Sequence, residues 1–244
     1  MIDIHCHPLP GTDDGPESWE QAEALVDAAF ADGTRTIVAT PHVLREPWLN
    51  EDREALLGLL AELNRRKNGR PRVLPGCELM WCSDLLDLAE RALGGSGPAI
   101  FLGEGRHLLV EFGPVYPRDA EGVVHELSLM GVTLVVAHPE RTPAMMREPG
   151  LLEVLVERGA KAQVTAASLL GLLGRKTLAA AEVMWARGLV HAVASDAHGR
   201  LPRPAGLSAA REWVERQWGT EAVKSLFVSG PAEMISAPAG GGGA

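Results

Sequence analysis

Ile2, Ile4 and Cys6 alternate with Asp3, His5 and His7. This period of two predicts a strand with apolar groups on one face and polar groups on the other. Such a strand suits a barrel stave beside a site, its polar rim inward and its apolar layer outward. Pro10, Gly11 and Gly15 mark a loop, and Ser18, three positions ahead of Gln21, gives a capping-box signal for a helix to about residue 32, which Gly33 closes. The same unit recurs. Apolar or β-branched runs predict strands near 36–39, 72–77, 108–112, 133–137, 161–165 and 190–194, seven with the first. Helices are predicted near 51–67, 119–130, 150–158, 167–187 and 207–228, while 83–105 reads as a short helix followed by an irregular GGSGP stretch. Alternating strands and helices imply a parallel sheet, closed or doubly wound.

No Pro/Gly/Ser linker divides two comparable halves, so one domain is expected over residues 1–236, with 237–244 a flexible Gly-rich tail. A chain of 244 residues suffices for one substantial core. The net charge of −9, without a concentrated block of Lys and Arg, argues against a nucleic-acid partner. No apolar run reaches the roughly 18 residues that span a bilayer, so no membrane insertion is expected. Three cysteines form no paired framework, and MIDIHCH lacks a basic region followed by an apolar run; a cytoplasmic location is the expectation.

In parallel α/β barrels chemistry collects where strands end. The predicted strands end with His5 and His7, His42, Glu78, Glu111, His138, and Asp196 with His198. Five of the eight histidines fall at these ends; His107, His125 and His191 read as surface or structural. Each position alone has a bland explanation, such as an incidental His-x-His or an Asp capping a helix. Together they make a nitrogen and carboxylate set suited to Zn²⁺, Mn²⁺ or Fe, in which a carboxylate can bridge two ions. There is no G-x-x-x-x-G-K-[ST], H-E-x-x-H, G-x-S-x-G, or cysteine followed by five residues and an arginine. Cys6, alternating away from the histidines, reads as a buried residue and not a nucleophile. Most tryptophans read as packing, with Trp48 a candidate to flank the mouth.

The runs MIDIHCHPLPGTDDG, TIVATPH, LPGCE, LLVEF, VAHPER and ASDAHG, spanning residue 1 to about 204, resemble in order the signatures of PHP-family metal-dependent phosphatases. The DDG loop, the AHPER run and an arginine soon after SDAH are most similar to the bacterial capsule and exopolysaccharide tyrosine-protein phosphatases of the CpsB/YwqE type. The resemblance implies a distorted (β/α)7 TIM-like barrel, the PHP fold, and up to three ions, manganese first, with Fe or Zn as alternatives. It implies that His5, His7, Glu78 and Asp196 hold one ion, that Glu78, Glu111 and His138 hold a second, with Glu78 bridging, and that Asp14, His42 and His198 hold a third. Arg141 and Arg203 would bind the substrate phosphate. Spacing alone does not choose between Asp13 and Asp14; the family pattern selects Asp14. Cys6 stands where a serine is common, VLREPWLN after His42 is unmatched by the resemblance, and GPVYPRD after Glu111 looks individual to this chain.

The activity so implied is hydrolysis of phosphotyrosine in a protein substrate, a bacterial tyrosine kinase of polysaccharide synthesis among them. Metal ions lower the pKa of a bound water toward about 7, so no protein nucleophile is needed. Structural alternatives exist for the arginines: Arg141 paired with Glu140 or Glu148, and Arg203 as a solvated loop charge. Two rival readings share the metal shell, a phosphatase of small esters such as histidinol phosphate and a non-catalytic PHP-like binding module.

Overall fold

The computed structural model describes residues 1–199 and 203–238, so residues 239–244 of the expected tail lie outside the described residues. Nine strands occur in it: β1 (Ile2–Cys6), β2 (Thr36–Ala39), β3 (His42–Val43), β4 (Arg72–Leu74), β5 (Glu78–Met80), β6 (His107–Glu111), β7 (Thr133–Ala137), β8 (Lys161–Thr165) and β9 (Ala192–Ala194). Their ladders are all parallel, in the orders β1-β2-β4 and β3-β5-β6-β7-β8-β9. The two arcs are one barrel. Pro41 interrupts the stave shared by β2 and β3, and Pro75-Gly76 interrupts the one shared by β4 and β5; a proline has no amide hydrogen for a ladder. Closure is made by β1 against the end of β9, where His7 N donates to Ala197 O at 2.9 Å and Asp196 N to His5 O at 2.8 Å. The result is a parallel α/β barrel of seven staves, the nine strands counting as seven once the two interrupted ones are joined.

The helices cover the outside. They are α1 (Trp19–Ala31), α2 (Arg53–Arg66), α3 (Leu85–Leu93), α4 (Ala120–Leu129), α5 (Pro143–Arg147), α6 (Gly150–Glu157), α7 (Ala166–Leu169), α8 (Arg175–Ala186), α9 (Ser208–Trp218), α10 (Thr220–Lys224) and α11 (Gly230–Ile235). Ser18 caps α1 by accepting from Gln21 N. The helix expected over 167–187 is two, separated by a turn whose Gly171 and Gly174 have φ of 71° and 96°. The one expected over 207–228 breaks at Gly219, φ 90°, and continues as α10, a π-helical turn (Ser225–Ser229) and α11. Positive φ is open to glycine and stops a helix.

Two apolar layers follow from the alternation. Ile4, Val38, Leu74, Leu109, Val135, Ala137, Ala192 and Ala194 meet inside the barrel, with Leu102 and Met234 beside them. Their strand neighbours Ile37, Val73, Leu108, Val110, Leu134, Val136 and Val193 face the helices. Strand β1 departs from the simple alternation, which would have put Ile4 outside with Cys6. Its register slips between Asp3 and Cys6, and Asp3 Oδ1 accepts from Ser195 N at 3.0 Å and His5 N at 3.3 Å. Ile4 therefore belongs to the inner layer, and both His5 and His7 reach the polar end above it. The strand expected over 72–77 ends at Leu74, so Glu78 opens β5 instead of ending a strand.

Leu109 is fully buried in the inner layer, where neighbours on all sides cannot collapse into a void. Leu109→Ala should destabilise the chain by about 3 kcal/mol, read as a lowered midpoint in denaturant unfolding.

Candidate metal centre

Above the apolar plug the inward positions turn polar. Counting by twos, Val38 leads to His42, Leu74 to Glu78, Leu109 to Glu111 and Ala194 to Asp196, so the barrel's own pleat aims these four side chains at one place. His42 pairs in register with Glu78, and Met80 with Glu111. His138 and Asp196, just past β7 and β9, have φ of 32° and 50°. A non-glycine residue in this left-handed region stores of the order of 1–3 kcal/mol of backbone strain, a cost found chiefly at functional sites. Asp13 and Asp14 arrive on the loop after β1. There a side chain at Gly15 would lie 2.7 Å from His7 O, so only glycine lets the loop close over the centre.

The centre is built around Glu78. Its Oε2 lies 3.3 Å from His5 Nε2, 3.5 Å from His7 Nε2 and 2.9 Å from His42 Nδ1, and its Oε1 lies 2.8 Å from His138 Nε2. Asp196 Oδ1 is 3.4 Å from both His5 Nε2 and His7 Nε2. The outer nitrogens fix the tautomers. His7 Nδ1 donates to the Asp13 carboxylate at 2.8 Å, and His5 Nδ1 meets Gln163 Oε1 at 2.8 Å. Each ring then turns its Nε2 inward, and the two Nε2 atoms face each other at 3.1 Å. His198 Nδ1 donates to Asp196 O at 2.9 Å and aims Nε2 at Asp14 Oδ1, 3.1 Å away. Among the described residues, the buried atoms His42 Nδ1, Glu78 Oε2, Glu111 Oε2 and His198 Nε2 make no well-formed hydrogen bond and are met only by ion-pair neighbours: His42 by Glu78, Glu111 by Arg45 and His198 by Asp14. Buried polar atoms left this way are costly unless a cation completes them.

Electrostatics agree. Burial disfavours charge on His5, yet Glu78 and Asp196 outweigh it and push its pKa up to about 9. Burial is likewise overcome at His42, which Asp14 and Glu78 bring to about 9. Glu78 and Asp196 are also buried, but the surrounding imidazoles, with Arg203 for Asp196, hold both well below the carboxylate range. Burial and the adjacent His7 take His198 down to about 4, leaving it neutral at pH 7. Positive charge is thus favoured at the middle of the cluster, where protons supply it in the absence of metal. The donors form four overlapping triads whose ligand atoms lie within 4.8 Å of one another: His5–His7–Asp196, His5–Glu78–His138, His42–Glu78–Glu111 and His7–His42–His198. Imidazole and carboxylate donors with fixed outer hydrogen bonds suit divalent transition ions.

All eleven residues singled out in the sequence converge here. Arg141 pairs with Asp196, and Glu140, which accepts from Thr165 N at 3.0 Å and Ser168 Oγ at 2.7 Å, adds its negative charge near the Arg141 guanidinium. Arg203 donates to Asp196 Oδ2 at 3.1 Å and Asp14 Oδ2 at 3.2 Å, a fixed place and not that of a solvated charge. Trp48 stacks on His42 with centroids 5.6 Å apart. His107 opens β6, His125 lies in α4 and His191 precedes β9, all away from the cluster. Three supporting residues went unassigned in the sequence. Asp13 orients His7; Gln163 orients His5 and could have been found as the polar inward residue of KAQVT; Arg45, in a stretch without pattern, gave no signal.

The family model described as capsular polysaccharide synthesis, CpsB/CapC, matches residues 1–236. The chain belongs to the CpsB/CapC family. A curated relative, the tyrosine-protein phosphatase YwqE of Bacillus subtilis, is 38% identical over 226 residues, covering 91% of this chain and 86% of YwqE. A solved structure from work on YwqE and on CpsB of Streptococcus pneumoniae, described as metal-dependent tyrosine phosphatases, superposes with a TM-score of 0.88 at 35% identity, covering 97% of this chain and 95% of that one. An organophosphorus hydrolase variant from Deinococcus radiodurans gives a TM-score of 0.60 at 14% identity, covering 96% and 92%, and shares the fold alone. No helix among the described residues of this CpsB/CapC member is long and apolar enough to cross a membrane.

Glu78→Gln removes the anion that four imidazoles share and, after loading with excess manganese as a probe and dialysis, should lower the metal retained per chain by at least about one ion in elemental analysis; unchanged stoichiometry would remove Glu78 from the centre. His5 carries a raised pKa in the folded chain, so its contribution to metal-free stability is complete below about 6.5 and is lost as pH rises through about 9. The melting temperature of metal-stripped protein should therefore fall between those values, and that of manganese-loaded protein should fall less.

Proposed function

We propose that this chain is a metal-dependent protein-tyrosine phosphatase, acting on phosphotyrosyl proteins that include a tyrosine kinase of capsule or exopolysaccharide synthesis, in the cytoplasm and with manganese as its ion. The observation that carries the reading is the pairing of two arginines, Arg141 and Arg203, with Asp196 at the edge of the lone-pair cluster. Guanidinium groups beside a cation-demanding pocket make a receptor for an oxyanion. His5, His7, Glu78 and Asp196 would hold one ion, Glu78, Glu111 and His138 a second, and Asp14, His42 and His198 a third.

Divalent ions, when bound there, supply Lewis acidity and a water of lowered pKa. The protein's own part is positional. Arg141 and Arg203 bind phosphoryl oxygens and offset the charge that grows on them as the ester bond breaks. Asp196 orients both guanidinium groups, and Glu140, tied to the start of α7, holds the turn that carries Arg141. A tyrosine phenol, with a pKa of about 10, departs with little help from an acid. The two buried cysteines, Cys6 and Cys77, are poorly suited to a covalent route. Burial drives the Cys6 thiol pKa far up, and Cys77 to about 12, which keeps both as inert thiols.

Arg141→Ala should lower phosphotyrosyl-peptide turnover about a hundredfold while elemental analysis returns the wild-type manganese content. Equal turnover would take Arg141 out of the reaction. The wild-type enzyme should prefer the phosphotyrosyl peptide to histidinol phosphate, and the opposite preference would move the assignment to a small-ester phosphatase.

A further inference from the structure

The segment between His42 and Asn50 is a built wall. Leu44 N donates to Leu49 O at 2.9 Å and Arg45 N to Trp48 O at 3.2 Å, closing the turn on itself. Asn50 Nδ2 then donates to Thr12 O at 2.7 Å and His42 O at 2.6 Å, pinning the turn to both the Asp13–Asp14 loop and the ligand strand. Two side chains point from this wall at the centre. Arg45 Nη1 lies 2.6 Å from His42 Nε2, and its Nε lies 3.2 Å from Glu111 Oε2. Trp48 lies flat against the His42 ring, 5.6 Å between centroids at 24°.

Arg45 repeats the situation of Arg141 and Arg203. Each has a guanidinium nitrogen on a carboxylate of the candidate centre: Arg45 on Glu111, Arg141 on Asp196, Arg203 on Asp14 and Asp196. Their side chains are 32%, 29% and 19% exposed, so all three stand at the opening and not in the core. Arg45 approaches from the β3 and β6 side, opposite the two that meet at Asp196 at the end of β9. The Trp48 ring, half-buried, is the aromatic surface beside His42, with the Arg45 guanidinium carbon 5.9 Å from its centroid. A flat apolar ring one side chain away from a phosphate receptor matches an aryl phosphate better than an alkyl one.

We infer that the 44–50 turn is the leaving-group wall of the site, in which Arg45 binds a phosphoryl oxygen of the substrate and Trp48 stacks on the aromatic ring of the phosphotyrosine. The assignment rests on the phosphatase reading above and adds to it the residues that select an aryl ester. It also gives a role to VLREPWLN, the stretch that the resemblance left unmatched.

The test uses the full-length, manganese-loaded chain with p-nitrophenyl phosphate, a phosphotyrosyl peptide and the alkyl ester β-glycerophosphate. Trp48→Ala should raise KM for both aryl esters roughly fivefold and leave β-glycerophosphate within about twofold. Trp48→Phe, keeping a ring, should restore most of the loss. Arg45→Ala should weaken inorganic phosphate binding, measured by calorimetry, by about tenfold or more, with manganese content unchanged. Equal losses on aryl and alkyl esters in Trp48→Ala would overturn the stacking role. Loss of manganese in Arg45→Ala, or unchanged phosphate affinity, would make Arg45 a support for the ligands and overturn its role toward substrate. The wild-type control separates the two levels: failure to turn over either aryl ester ends the phosphatase reading itself, whereas normal turnover with unchanged Arg45 and Trp48 variants ends only the assignment of this wall.

Discussion

A single buried carboxylate, Glu78, sits among four imidazoles, and the mouth of the barrel is organised by that fact. Its two oxygens meet His5, His7, His42 and His138 between 2.8 and 3.5 Å, distances at which neutral rings with inward lone pairs would repel the anion they surround. The arrangement is acceptable only with positive charge in the middle, as protons or as metal ions. This constraint explains why His5 and His42 hold protons so tenaciously, and why Asp13 and Gln163 clamp the far nitrogens of the paired histidines. The outer hydrogen bonds keep the rings aimed when the inner ones exchange protons for metal.

The barrel provides this centre by dividing its interior along the axis. Ile4, Val38, Leu74, Leu109, Val135 and Ala192 form an apolar layer on which the polar one rests. An apolar floor excludes water from below and gives the ligand strands a rigid base, so the donors need no large adjustment when a charge arrives. The slip in β1 belongs to the same design. Asp3 spends its hydrogen-bonding capacity on Ser195 and His5 backbone amides, joining the first and last staves beside the site. The positive φ at His138 and Asp196 is a local strain that the closed barrel holds in place.

Around the rim, arginine is used three times with carboxylate partners that are themselves metal-ligand candidates. Such pairing fixes the guanidinium groups before any substrate arrives, which would reduce the entropy lost on binding an oxyanion. On the proposed reading the chemistry lies in position: side chains with ordinary reactivity, Cys6 and Cys77 kept inert by burial, and guanidinium charges where a phosphoryl group would gather negative charge.

The amino-acid sequence by itself determined the alternation of strands and helices, the parallel sheet, and the set of histidines and carboxylates at strand ends, because pleat and helix periods are local properties that side-chain polarity records. Asp14 became separable from Asp13 only through the family pattern, and in the fold the two differ in which ring they meet: Asp13 meets His7, Asp14 meets His198 and His42. What the tertiary structure alone decided is long-range. The joining of interrupted strands into seven staves, the slip that turns Ile4 inward, Gln163 behind His5 across 158 residues of chain, and Arg45 against Glu111 all depend on segments that meet only when the barrel closes. No local period encodes such meetings, since the free energy that selects them comes from packing and charge pairing between distant parts of the chain.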